Sequence, residues 1–236
     1  MNFVQVAIPS PLRQTFTYKN QFSSNLVGKR VLVEFGRRKL VGIVTSQSEN
    51  FDDDYKLKQI EEVLDDSPLI DKQLLKKINN ISDYYMHPIG IVFESFIPSF
   101  LRKAKHQKTL EKYEIKINSD KTFNNLHTLT RDQKNVLNSI KSKDSGEILL
   151  SGITSSGKTE VYKHFIKELL NKGKSALVLV PEIFLTPQIF NDFQNTFGNK
   201  VLLNHSGLTP IQRIKVWLAS QDKNPKIIIG TRSSIF

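Results

Sequence analysis

One stretch has the residue types and spacing to hold phosphate. In "SGITSSGKTEVY", residues 151–162, Gly152 and Gly157 bracket Ile153, Thr154, Ser155 and Ser156, and Lys158-Thr159 follow. In a G-x-x-x-x-G-K-T pattern, small residues let backbone N–H groups curl around phosphate oxygens, and the helix that follows adds positive potential at its N-terminus. Lys158 is then the cation for the β- and γ-phosphates, and the Thr159 hydroxyl is a Mg²⁺ ligand. The candidate nucleotide set is Gly152, Thr154, Ser155, Ser156, Gly157, Lys158, Thr159 and Glu160, with Lys158 and Thr159 as its catalytic members. The competing reading is a Gly/Ser-rich turn with a solvated lysine.

Other candidates stand at strand ends or turns. Gln133 precedes Lys158 by 25 residues, just inside a predicted helix. Its amide both donates and accepts, which suits an adenine edge, or it is a solvated surface glutamine. In "LVPEIFLTPQIF", Thr186 and Gln188 follow a strand end and could touch a nucleic-acid backbone, or they belong to an N-capped helix start. In "KIIIGTRSSIF", Thr231, Arg232 and Ser233 suit phosphate oxygens, or form an ordinary strand-end turn. Near the N-terminus, Phe16 and Tyr18 lie at strand spacing, and "FGRRK" puts Arg37, Arg38 and Lys39 at a turn around Gly36. An aromatic beside basic turns could stack a base, or the two aromatics are core.

The elements that position these residues fall into two blocks. Up to residue 102, "FVQVAIP", "TFTY" and "KRVLVEFGRRKLVGIVTSQ" read as strands, the last as a pair around Gly36. "LKQIEEVL" is a strand or a short helix, and "DKQLLKKINNISDYYM" is helical, with Leu74, Leu75, Ile78, Ile81 and Tyr85 at helical spacing. A small barrel-like β domain with a helical appendage is expected. Residues 103–127 are poor in aliphatics and rich in Lys and Asn, and read as a linker with a possible short strand at "YEIKIN". Residues 128–236 alternate helix and strand, with strands at "EILLSG", "SALVLVP", "KVLLNHS" and "PKIIIGT". That order implies an α/β unit with a parallel sheet and helices on both faces.

The bulk numbers bound the function. The 236 residues, 39% of them hydrophobic, suffice for packed cores, and no apolar run is long enough to span a membrane. No cysteine is present, which excludes disulfides and thiolate metal sites within this sequence and favours a cytoplasmic location. The formal net charge of +11 attracts phosphate backbones, unless it reflects a Lys- and Asn-rich composition.

Together, "VAIPSPLRQTFTY", "GKRVLVEFGRRKLVGIV", "DYYMHPIG", "LSGITSSGKTEVY", "VPEIFLTPQ", "HSGLT" and "IIIGTRSSIF" resemble the primosomal protein N′ (PriA) family of superfamily 2 replication-restart helicases, in the family's order and over nearly the whole chain. The resemblance implies a domain over 1–102 that captures the 3′-OH end of a nascent strand, with pocket residues at Phe16, Thr17, Gly36 and Lys58. The family commonly has an acidic residue where this chain has Thr17. The resemblance also implies ATP and Mg²⁺ as cofactors, adenine contact by Gln133, and single-stranded DNA contact by the Thr186–Gln188 and Thr231–Ser233 segments. Forked DNA, a single-strand-binding protein and primosome proteins are the implied partners. Two departures are expected: no winged-helix module in 103–127, and a sequence that stops before the Asp-Glu-x-His segment, the second motor lobe and the zinc-binding cysteines. Two functions follow, the N-terminal part of an ATP-driven 3′-to-5′ helicase or a DNA-end and nucleotide-binding module without turnover. A small-molecule P-loop kinase is a third class.

Overall fold

The computed structural model describes residues 2–22, 24–50, 56–115, 117, 123, 126–143, 145–153, 155–181 and 187–235. The chain divides into two compact units, Met1–Glu114 and Ile115–Ile235.

The first unit is built on a five-stranded antiparallel sheet. β1 (Asn2–Ala7), β2 (Phe16–Asn20), β3 (Arg30–Phe35), β4 (Arg38–Ser48) and β5 (Ile60–Val63) lie in the order β2-β1-β4-β3-β5. Alternation explains the burial, since Val4, Val6, Tyr18, Val31, Val33, Val44 and Ile60 turn to one side and form the core. The sheet curls until its outer strands meet. The Lys19 N–H donates to the Lys58 carbonyl at 2.9 Å, and Lys19 bridges Gln59 in parallel. The "LKQIEEVL" segment is therefore a strand at its centre. α1 (Lys72–Tyr84) and α2 (Ile89–Phe96) follow, and Asp71 caps α1 by accepting from Leu74 N at 2.7 Å.

One buried ion pair ties this unit together. Arg30 and Asp65 have fully buried side chains. Asp65 accepts from the Arg30 backbone N–H at 2.7 Å and from Nε at 3.1 Å, while Nη1 and Nη2 donate to the carbonyls of Leu101 (2.8 Å) and Lys105 (3.1 Å). This differs from the expected linker at 103–127. Residues 103–114 pack on the first unit through the Lys105 carbonyl, through Gln107 N–H to Leu64 O (2.9 Å) and through buried Leu110, and Gln107–Tyr113 forms a 3₁₀ turn. Ile117 and Phe123 pack instead in cores of the second unit. Scarcity of aliphatics marked a linker, but the docking uses backbone carbonyls, which composition does not display. "YEIKIN" forms no strand among its described residues.

The second unit holds a three-stranded parallel sheet in the order β6-β8-β7, from β6 (Ala176–Leu179), β7 (Val201–Asn204) and β8 (Ile227–Gly230). α4 (Lys158–Asn171) and α5 (Pro187–Phe197) cover one face through Ile166, Leu170, Phe193 and Phe197 against Val201, Ile227 and Ile229. α6 (Pro210–Gln221) covers the other through Val216 and Ala219 beside Leu202 and Ile228. Helices thus lie on both faces, as the alternating pattern implies. α3 (Arg131–Lys141) packs with α4 through Leu137, Ile140 and Val161.

The expected strand at "EILLSG" is corrected. Residues 147–152 pair with no strand among the described residues, and Leu149 is 92% exposed. An apolar run becomes a strand only where a neighbour offers a ladder. The described sheet gives it none.

Candidate nucleotide and DNA-end sites

The phosphate-loop geometry starts from Gly157. It is the N-cap of α4 with φ +80°, and the preceding Ser155 has φ +63°. A Cβ on Gly157 would lie 2.3 Å from Gln133 Nε2. The positive φ favours glycine, and a side chain there would displace the Gln133 amide. α1, α3 and α6 have side-chain caps from Asp71, Thr130 and Thr209, but Gly157 offers α4 none. The Lys158 and Thr159 N–H groups at the start of α4 have no intrahelical acceptors by construction, whereas the Glu160 N–H already donates to the Gly157 carbonyl at 3.0 Å. Lys158 folds over the loop, donating from Nζ to the carbonyls of Gly152 and Ile153, both at 2.7 Å, and to Ser156 Oγ at 3.4 Å. An ammonium held across the loop, an uncapped helix start and exposed Thr159 suit a Mg²⁺-bound polyphosphate.

Gln133 lies against this loop. Its Nε2 donates to Ser156 O at 3.2 Å, and its Oε1 accepts from Thr130 N–H at 2.9 Å in a capping box. Glu160 has another role than the loop reading gave it. Its carboxylate accepts from Lys163 Nζ (3.2 Å) and His127 N–H (3.4 Å). Lys163, 2% exposed, also reaches Asp192 at 2.6 Å and so ties α4 to α5. Sequence reasoning missed Lys163 because a lysine within a helix reads as solvated. Thr154 and Thr186 lie outside the described residues. Gln188 is exposed in the first turn of α5, and Arg232 and Ser233 are exposed after β8. Thr231 differs from expectation, since it is buried with its hydroxyl 3.1 Å from Ser233 Oγ.

In the first unit, Phe16, Gly36 and Lys58 come together. Phe16 packs edge-to-face on Phe35 with centroids 4.7 Å apart, against the core. Gly36, at φ +61°, opens the two-residue turn that joins β3 to β4, where a primed hairpin turn needs positive φ. Lys58 Nζ reaches the Gly36 carbonyl at 3.2 Å and Glu34 Oε1 at 2.7 Å. Thr17 faces the other side of β2, where its hydroxyl accepts from Gln5 Nε2 at 2.9 Å, and Gln5 Oε1 accepts from Thr15 at 3.0 Å. Tyr18 Oη donates to the Glu34 carbonyl at 3.0 Å. Burial, with the Glu34 charge behind it, pushes the Tyr18 phenol up to about 12. Hydrogen bonding to Lys58, and the Lys58 charge, lower the Glu34 carboxyl below its ordinary range. Tyr18 is core, while Phe16 lies at the core's rim. Sequence reading missed Glu34 and Gln5, which the alternation of β3 and β1 put on the outer face.

Residues 5–98 match the 3′ DNA-binding domain of PriA, and residues 130–236 match the DEAD/DEAH box helicase family. A Treponema pallidum protein named replication restart protein PriA is 30% identical over 99% of this chain and 36% of its own length. The chain belongs to the PriA replication-restart family. The Haemophilus influenzae PriA is 28% identical over the whole chain and 42% of its own length, and the Synechocystis PriA is 50% identical over 38% of the chain. The chain thus spans about a third of the length of the PriA relatives it matches. Both family matches agree with the architecture, a curled antiparallel sheet followed by a parallel sheet flanked by helices. No helix among the described residues is long and apolar enough to cross a membrane.

Proposed function

We propose that these 236 residues supply the DNA-end-recognising and nucleotide-gripping parts of an ATP-dependent 3′-to-5′ DNA helicase that restarts replication at stalled forks through primosome assembly. The observation that carries the reading is Lys158 held across a loop that opens an uncapped helix, in a chain whose other unit matches a 3′ DNA-binding domain. Lys158 neutralises phosphate charge, Thr159 holds Mg²⁺, and Gln133, seated on the loop, meets the base. ATP, when bound, supplies the phosphoryl transfer that drives strand separation. Gln188, Arg232 and Ser233 contact single-stranded DNA, with Thr231 bracing their turn. Phe16, Gly36 and Lys58 receive the 3′-OH end of the nascent strand. The 103–127 stretch, about 25 residues between the end-binding and nucleotide-gripping parts of the sequence, holds no winged-helix module. Single-strand-binding protein and primosome proteins are the partners.

A second reading concerns the 236-residue polypeptide assayed alone. Its sequence holds no Asp-Glu-x-His segment to supply a carboxylate to the metal, so it binds nucleotide and DNA without turnover. Affinities for forked DNA with a leading-strand 3′-OH or 3′-phosphate test the first part, and 3′-OH forks bind more tightly. Equal affinities count against end recognition. Robust DNA-stimulated ATPase that disappears in Lys158→Ala would contradict the second reading.

A further inference from the structure

A terminal hydroxyl differs from a terminal phosphate in two respects, because it donates a hydrogen bond and carries no charge. A site that selects it therefore benefits from an anionic acceptor, which strengthens the bond to the hydroxyl and repels a phosphate. Neither Phe16, Thr17, Gly36 nor Lys58 offers a carboxylate. The Thr17 hydroxyl already accepts from Gln5 on the outer side of β2. Among the described residues, the carboxylate that meets Lys58 is Glu34.

Glu34 is held where such an acceptor would stand. It immediately precedes Phe35, whose ring meets Phe16, and lies two positions before Gly36. Its backbone carbonyl takes the Tyr18 phenol, which anchors the end of β3 against β2. Its side chain is half exposed and Oε1 is 2.7 Å from Lys58 Nζ, which also binds the Gly36 carbonyl. Lys39, opposite Glu34 across the β3–β4 pair, is engaged at 2.7 Å by Glu61. An ammonium has three protons, and among the described residues Lys58 places two of them, on Glu34 and Gly36, which leaves a third for a backbone phosphate. A carboxylate has more acceptor positions than the one Lys58 takes. The pair thus presents an acceptor and a cation side by side on the exposed surface.

We infer that Glu34 is the specificity-determining acceptor for the terminal 3′-hydroxyl, with Lys58 fixing its carboxylate and binding the adjacent phosphodiester. This rests on the reading of the first unit as a 3′-end binder.

The test uses the 236-residue chain and three forked duplexes identical except for the leading-strand terminus, which is 3′-hydroxyl, 3′-deoxy or 3′-phosphate. Wild type prefers hydroxyl over deoxy by about tenfold, the value of one hydrogen bond to a charged group, and disfavours phosphate further. In Glu34→Gln, an isosteric neutral change on an exposed side chain, the penalty against phosphate falls to within about twofold of that against deoxy, since only charge repulsion is removed. In Glu34→Ala the hydroxyl preference over deoxy also disappears. Persistence of the full preference in Glu34→Ala overturns the role of Glu34 while leaving 3′-end binding intact. Equal tightening of all three duplexes in Glu34→Ala also overturns it, because Glu34 would then only compete with DNA for Lys58. Wild type without any terminus preference overturns the inference together with the reading beneath it.

Discussion

The charged side chains at the two candidate sites are supported differently, although each unit also buries an ion-paired cation, Arg30 in the first and Lys163 in the second. In the first, Arg30 and Asp65 are sealed from water, the sheet closes on itself, and Glu34 and Lys58 sit on a rigid rim. In the second, Lys158 bonds to the carbonyls of an exposed loop, and Ile148, Leu149 and Ile153 on the approach to that loop are also exposed. A rim built on paired strands keeps its geometry before a ligand arrives, which favours selectivity. A loop held by one lysine's bonds to its own carbonyls can exchange them for phosphate oxygens, which favours a ligand that comes and goes. The difference teaches what each site depends on: the first on the strands that carry it, the second on one lysine's bonds to its loop.

Four substitutions or conditions break or sharpen that contrast. The largest effect is expected from Arg30→Ala or Asp65→Ala, each of which strands a buried charge and costs the first unit about 3–5 kcal/mol. Urea denaturation followed by a probe in each unit should show the first unfolding early and the second unchanged. Next, Lys158→Ala removes the ammonium from the loop and weakens Mg-nucleotide binding by about 1.5–3 kcal/mol, read by titration with a fluorescent nucleotide, with little change in thermal unfolding. Thr130→Ala takes away the hydroxyl that accepts from the Gln133 N–H and costs about 1 kcal/mol of stability in the second unit, while the Thr130 N–H that holds Gln133 Oε1 remains. Its nucleotide affinity should fall less than in Lys158→Ala.

The smallest effect is confined to alkaline solution. The Tyr18 phenol keeps its proton in the folded state up to about 12, above its ordinary value of 10. Between those values the unfolded chain has lost the proton and the folded chain has kept it. The stability Tyr18 contributes is therefore full below pH 10 and is lost as pH rises toward 12. Denaturation midpoints of wild type and Tyr18→Phe should converge over that range, and parallel profiles would refute the assignment.

The regular elements were legible because their signals are local. β3 and β4 alternate around Gly36, Thr209 and Pro210 open α6, and Gly173, at φ +75°, closes α4. The turn before α4 was legible for the same reason, with Gly157 at positive φ opening the helix. What was not legible depends on neighbours distant in sequence. Residues 147–152 have a strand's composition but find no ladder, and Arg30 meets Asp65, Leu101 and Lys105 across intervals no pattern reveals. Glu34 belongs to no motif, and only the fold brings Lys58, 24 positions on, against it. Glu160 and Thr231 fitted motifs by spacing, yet one binds Lys163 and the other is buried.

The account's central claim is that end recognition belongs to the first unit and does not depend on the nucleotide loop. The most direct measurement compares the affinity of wild type, Lys58→Ala and Lys158→Ala for forks ending in 3′-hydroxyl or 3′-phosphate, without nucleotide. The account predicts that Lys158→Ala keeps the wild-type preference for the hydroxyl end and that Lys58→Ala loses it. A preference that survives in Lys58→Ala, or vanishes in Lys158→Ala, would contradict it.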